Sequence, residues 1–115
     1  AGAHTLEEAV TAARIRACRE AIAPHLYLPP LRRSAWLSAL LGADVWLKLE
    51  CLQEGNNFKI RGALNSLLAF KEAHGHFPHK AISASGGNHG IAVAIACQRF
   101  GVPCTIVLPR NSATP

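Results

Sequence analysis

The tightest constraint on this chain lies in its last third. Ala81 to Ala84 is a short apolar run, Ser85-Gly86-Gly87 is a tight turn, and Asn88 opens a helical pattern reaching about Phe100. Gly101-Val102-Pro103 closes that pattern, and Cys104 to Leu108 is a second apolar run, bounded by Pro109. Strand, glycine-rich turn, helix and strand in so short a span make a right-handed parallel crossover, because parallel neighbours need a covering connection between them. The fold class is therefore α/β. From Ile91 to Ala96 the helix is apolar nearly all round, which predicts a buried helix.

The first two-thirds add shorter elements. Thr5 followed by Glu8 fits a capping box, and Leu6, Ala9, Val10, Ala13, Ala17 and Ile22 recur at helical spacing. A helix is expected from about Leu6 to Ala23, ended by Pro24. Leu28-Pro29-Pro30-Leu31 reads as extended, because proline pushes its predecessor out of the helical region. Ser34 to Leu41 reads as a short helix closed by Gly42. Val45, Leu47 and Leu49 alternate with Trp46, Lys48 and Glu50, the pattern of a strand. A polar loop from Gln53 to Asn57 leads into a helix to about Ala73, and His74 to His79 forms the next loop. Three strands are too few for a sheet covered on both faces. With no Met anywhere, the chain reads as the N-terminal part of a larger protein, with a C-terminal remainder expected.

Composition removes several classes. Half the residues are hydrophobic and 17% are charged, which excludes a disordered chain. No apolar run nears the ~20 residues of a membrane helix, so no membrane partner is expected. The net charge of +5 suits an anionic partner. Yet the basic residues are dispersed, and one Tyr and two Trp offer little for base stacking, so no nucleic acid is expected. Cys18, Cys51, Cys97 and Cys104 form no CxxC pair, and all but Cys51 lie in apolar segments. They read as reduced, buried thiols of a cytoplasmic chain. His74, His76 and His79 cluster without a companion Cys or carboxylate, so a solvated loop is preferred and no metal is expected.

Two segments can carry chemistry. In Ser85-Gly86-Gly87-Asn88-His89-Gly90, glycines let a ligand approach the backbone, and the helix start aims N–H groups at an anion. An ordinary glycine turn with Asn88 as helix cap reads equally well. In Asn57-Phe58-Lys59-Ile60-Arg61-Gly62-Ala63, Lys59 falls in the first helical turn, where the dipole disfavours a cation. Burial behind Phe58 and Ile60 would disfavour it further, and a partly neutral amine is what Schiff-base chemistry needs. An exposed lysine with a snorkelling stem is the plainer reading on physics alone.

Taken together, Leu47-Lys48-Leu49-Glu50, Phe58-Lys59-Ile60-Arg61-Gly62-Ala63 and Ser85-Gly86-Gly87-Asn88-His89-Gly90 resemble the threonine/serine dehydratase family. These are pyridoxal-phosphate enzymes of the tryptophan-synthase-β-like fold (fold type II), serine racemase included. The likeness runs from about residue 28 to 115, and Pro29-Pro30-Leu31 looks like the family's Thr-Pro-Leu segment. Lys-Ile-Arg at Lys59 favours the dehydratase branch over threonine and cysteine synthases, which show Lys-Asp-Arg. The resemblance implies pyridoxal 5'-phosphate as cofactor, with Lys59 forming the Schiff base and Phe58 packed beside it. It implies that Asn88 hydrogen-bonds the cofactor's ring hydroxyl. It makes Ser85, Gly86, Gly87, Asn88 and His89 the loop holding the carboxylate of a small amino-acid substrate. The implied reaction removes the α-proton with Lys59 as base, expels the β-hydroxyl of serine or threonine, and ends in a 2-oxo acid and ammonia. A homo-oligomer, dimer or tetramer, is implied for the full-length protein.

Three departures from the family pattern matter. Asn57 stands where the family has Ser, and an amide can cap the same helix. Gly86 stands where serine racemases carry a second Ser, the acid/base on the far face of the substrate. Glycine moves no proton, so elimination is favoured over racemisation. The chain also stops before the family's phosphate-cradling glycine loop and the partner of the pyridine nitrogen. The 115 residues alone are therefore expected to show negligible lyase activity. Serine racemase and a non-catalytic fragment or pseudoenzyme are the alternatives.

Overall fold

The computed structural model describes residues 10–111. Helix α1 spans Ala12–Ile22, with Thr11 extended before it and its hydroxyl accepting the Arg14 N–H at 3.2 Å. The proposed capping box at Thr5 and Glu8 lies outside the described residues. The expected helix does not run through Val10 and Thr11, because a threonine hydroxyl bonds its local backbone and starts a helix there. A single 3₁₀ turn, Ala23–His25, follows at Pro24.

Strand β1 (Leu31–Arg33) pairs antiparallel with β2 (Trp46–Lys48), Leu31 opposite Lys48 and Arg33 opposite Trp46. Helix α2 (Ala35–Leu41) connects them, capped by Ser34 and closed by Gly42 at φ 61°, as expected. The stretch read only as extended therefore supplies a strand, and the described residues hold four strands rather than three. Proline cannot donate to a ladder, which is why Pro29 and Pro30 hide a strand that starts at Leu31.

β2 is shorter than the alternation from Val45 to Glu50 suggests. A 3₁₀ turn at Glu50–Leu52 follows it, and a second at Glu54–Asn56 lies within the expected loop and feeds helix α3 (Lys59–His74). Then come β3 (Ala81–Ala84), α4 (Asn88–Arg99) and β4 (Cys104–Val107). β3 and β4 pair in parallel, Ala81 opposite Cys104 and Ala84 opposite Val107, with α4 as the connection. The crossover is therefore present with its expected elements.

The core is the seam between α3 and α4. Ile60, Ala63, Leu64 and Leu67 meet Ala92, Ala96 and Cys97, and Ile22 and Val102 close the cluster. The expected burial of α4 holds on one face only, since Ile91 is 50% exposed. A two-stranded sheet is too narrow to cover the other face. The thiols are likewise less buried than expected: Cys97 is buried, Cys18 and Cys104 are half-buried, and Cys51 is exposed. No helix among the described residues is long and apolar enough to cross a membrane.

Candidate active site

Lys59 opens α3, and its backbone N–H donates to Asn57 Oδ1 at 2.8 Å. Asn57 is buried and donates from Nδ2 to the Gly55 carbonyl. The amide thus performs the capping that the family's serine was expected to leave to it. One residue on, Ile60 enters the core fully buried, while Phe58 and Lys59 stay exposed. Lys59 is thus exposed, as the plainer reading of the sequence has it, and is not buried behind Phe58, which precedes the helix and stands outside the α3–α4 seam. Lys59 Nζ lies 5.2 Å from the centroid of the Phe58 ring. Among the described residues, that amine has no ion-pair or hydrogen-bond partner.

Neighbouring cations are engaged instead. Arg61 donates from Nε and Nη2 to the two oxygens of Glu50 at 3.0 and 2.6 Å. Lys48 Nζ is 3.9 Å from the same carboxylate. Arg61 therefore serves a structural partner.

The glycine-rich turn follows directly from the sheet. The Ser85 N–H donates to the Val107 carbonyl at 3.1 Å, and the Gly87 N–H donates to Ser85 Oγ at 3.3 Å. Gly87 holds the cap position of α4 and no side chain caps that helix, so Asn88 is its first residue rather than its cap. The first-turn N–H groups of an α-helix have no intrahelical acceptor, which leaves those of Asn88, His89 and Gly90 without a partner inside the helix. Gly86, Gly87, Asn88 and His89 are exposed, and a Cβ added at Gly87 would meet nothing within 4 Å. The turn can therefore admit a ligand against its backbone.

The two segments are neighbours. A Cβ built at Gly55 would lie 3.1 Å from Ile95 Cδ1 and 3.6 Å from Ile91 Cγ2. The turn that feeds Lys59 thus packs on the first two turns of α4. His89 does not join Lys59. It lines a cavity of about 220 Å³ between α3, α4 and β3, with Ser66, Ser83 and Cys97, and neither Lys59 nor Asn88 lines it. His74, His76 and His79 form a ring cluster at the end of α3, with His76 and His79 stacked at 5.3 Å.

Sequence reasoning passed over Gln53. It is only 2% exposed; Oε1 accepts the Tyr27 N–H at 3.1 Å and Nε2 donates to the Tyr27 carbonyl at 2.9 Å. No periodicity marks such a residue, since a glutamine in a polar loop is ordinarily solvated. One thiol is strongly perturbed. Cys97 is pushed up to about 11 by its burial first, then by the hydrogen bond and charge of Cys104.

Residues 22–115 match the family model described as pyridoxal-phosphate dependent enzyme. A serine racemase of Oryza sativa subsp. indica is 39% identical over 104 residues, 88% of this chain and 30% of the relative. An L-threonine ammonia-lyase of Thermotoga maritima is 44% identical over 80 residues, 70% of this chain and 20% of the relative. The solved structure of maize serine racemase superposes with a TM-score of 0.78 at 36% identity, covering 89% of this chain and 30% of that one. The chain thus spans about a third or less of these relatives' length.

Proposed function

Since this chain belongs to the pyridoxal-phosphate dependent enzymes, in their threonine dehydratase and serine racemase group, we propose that the whole, full-length protein dehydrates L-serine or L-threonine. The products are the corresponding 2-oxo acid and ammonia. The family's cofactor is pyridoxal 5'-phosphate, and the exposed Lys59 amine beside the Phe58 ring fits its aldehyde. The observation that carries the reading is the Lys59 amine, exposed beside an aromatic face and without a carboxylate partner among the described residues. An amine so placed is available to an aldehyde.

In this reading Lys59 would hold the cofactor covalently, with Phe58 packed beside it and Asn88 hydrogen-bonded to its ring hydroxyl. Ser85, Gly86, Gly87, Asn88 and His89 would hold the substrate carboxylate, with the N–H groups at the α4 start, which no side chain caps, as donors. When bound, the cofactor supplies an electron sink for the α-carbon. Once the substrate's amine has displaced it from the cofactor, the Lys59 Nζ would be free to take the α-proton on its own face. Gly86 offers no group to return a proton on the opposite face, which favours loss of the β-hydroxyl over inversion. A cytoplasmic homo-oligomer is part of the same proposal.

The test begins with borohydride reduction of the protein loaded with pyridoxal phosphate, followed by peptide mapping. A pyridoxyl group on Lys59, lost in Lys59→Ala, supports the reading. Product analysis then separates the reactions: 2-oxo acid from L-serine or L-threonine supports dehydration, and D-serine in its place identifies a racemase. A wild-type protein carrying no label at Lys59 overturns both.

A further inference from the structure

The turn before Lys59 is tied down at nearly every residue. Glu50 receives the Arg61 fork, Glu54 receives Arg99, and Gly55 presses on Ile91 and Ile95. Arg99 also donates to the His25 carbonyl. At the centre is Gln53, whose amide makes a two-point clasp on the Tyr27 backbone. Its Oε1 also accepts the Glu54 N–H at 3.1 Å. Four residues on, Asn57 Oδ1 fixes the backbone N–H of Lys59 itself.

We propose that Gln53 and Asn57 are positioning residues for Lys59, together setting where its amine stands at the mouth of α3. Neither touches the reacting atoms. The inference rests on the reading of Lys59 as the amine that meets an aldehyde. Gln53 anchors the turn to the segment leaving α1, and Asn57 passes that anchorage to the first backbone atom of the lysine. Gln53 is buried and all its described bonds run to backbone, so its side chain is committed to shape rather than to a ligand. Buried polar side chains that are fully bonded define one local geometry, because any other leaves an unpaired group.

The measurement is the rate at which Lys59 is labelled by pyridoxal phosphate plus cyanoborohydride, read by peptide mass spectrometry. Lys48 and Lys71 in the same sample serve as internal references. In Gln53→Glu the side chain keeps its size but can no longer donate to the Tyr27 carbonyl. Its Lys59-to-reference ratio is expected to fall about 10- to 100-fold, the cost of roughly an ångström of misplacement. Asn57→Ala is expected to do the same, and Asn57→Ser to restore the ratio, because a hydroxyl can accept the Lys59 N–H. Should Gln53→Glu not fold, the Asn57 pair decides the matter alone. Equal ratios in folded wild type, Asn57→Ala and Asn57→Ser overturn the proposal while leaving the function intact. A wild-type ratio near one overturns the function and this inference with it.

Discussion

Gly90 sits where the first turn of α4 meets the end of β3, and a Cβ there would stand 2.7 Å from the Ser85 carbonyl oxygen and 3.1 Å from Ile106 Cγ2. The nearer of these is backbone, so the turn itself must move. Gly90→Ala should destabilise the protein by about 1–3 kcal/mol, the usual cost of overpacking, as urea unfolding will show. Gly87→Ala makes the contrast. Its φ of −145° suits any residue and its Cβ would enter open space, so stability should change by no more than ~0.5 kcal/mol. Arg61→Ala removes a bidentate partner from Glu50, whose side chain is 19% exposed. A loss of about 1–3 kcal/mol is expected there, measured the same way. The helix start at Lys59 and the glycine-rich turn from Ser85 to His89 are legible in the sequence because glycines and apolar periodicity are visible in one dimension. The roles assigned to Lys59 and Asn88 come instead from the family resemblance. Gln53 is not legible, because its partner Tyr27 is distant in the chain and the contact is with backbone, which carries no residue identity.

The elements of the second half were readable nearly to the residue. β3 matches its expected bounds, and α4 and β4 end one residue short of theirs. Glycine, proline and apolar runs mark each boundary there. β1 was read only as extended, because two prolines and a three-residue length leave no alternation to see. Where α4 ends against β4, Cys97 supplies a pH prediction. Its thiol is raised from 9.0 to about 11 in the fold, so folding favours the protonated form. The associated stability is fully present below pH 9 and is lost as pH climbs through 11. At full extent the loss is on the order of 2–3 kcal/mol. Urea midpoints from pH 8 to 11 should therefore fall more in the wild type than in Cys97→Ala. Parallel slopes would remove Cys97 as the source.

At the scale of the whole molecule, the radius of gyration of 17.1 Å exceeds the ~13 Å of a compact domain this long. Two separate two-stranded sheets leave edges unpaired, and Leu28, Trp36 and Ile82 are each at least 70% exposed. Sedimentation velocity should show mass-averaged size rising with concentration, and Ile82→Lys should reduce that rise. A size independent of concentration would mean that these faces are inert. The openness was foreshadowed by the count of strands, though which side of α4 stays bare was not, since an all-round apolar helix looks the same from every direction. The turn between Glu50 and Arg61 has a consequence for how such a chain can change length. Bonds leave it at Glu50, Gln53, Glu54 and Asn57 toward three different parts of the molecule: the start of α3, the segment at Tyr27 and the end of α4. One residue inserted or deleted anywhere between those anchors must break at least one of them, so that stretch is frozen in length. The loop from His74 to His79, whose histidine rings stack on one another and on Phe70 and which is held to the rest of the molecule by Phe77 stacked on Phe100, is where an insertion can be absorbed before Phe77. Descendants of this sequence will vary in length there and hold the spacing from Glu50 to Arg61 fixed.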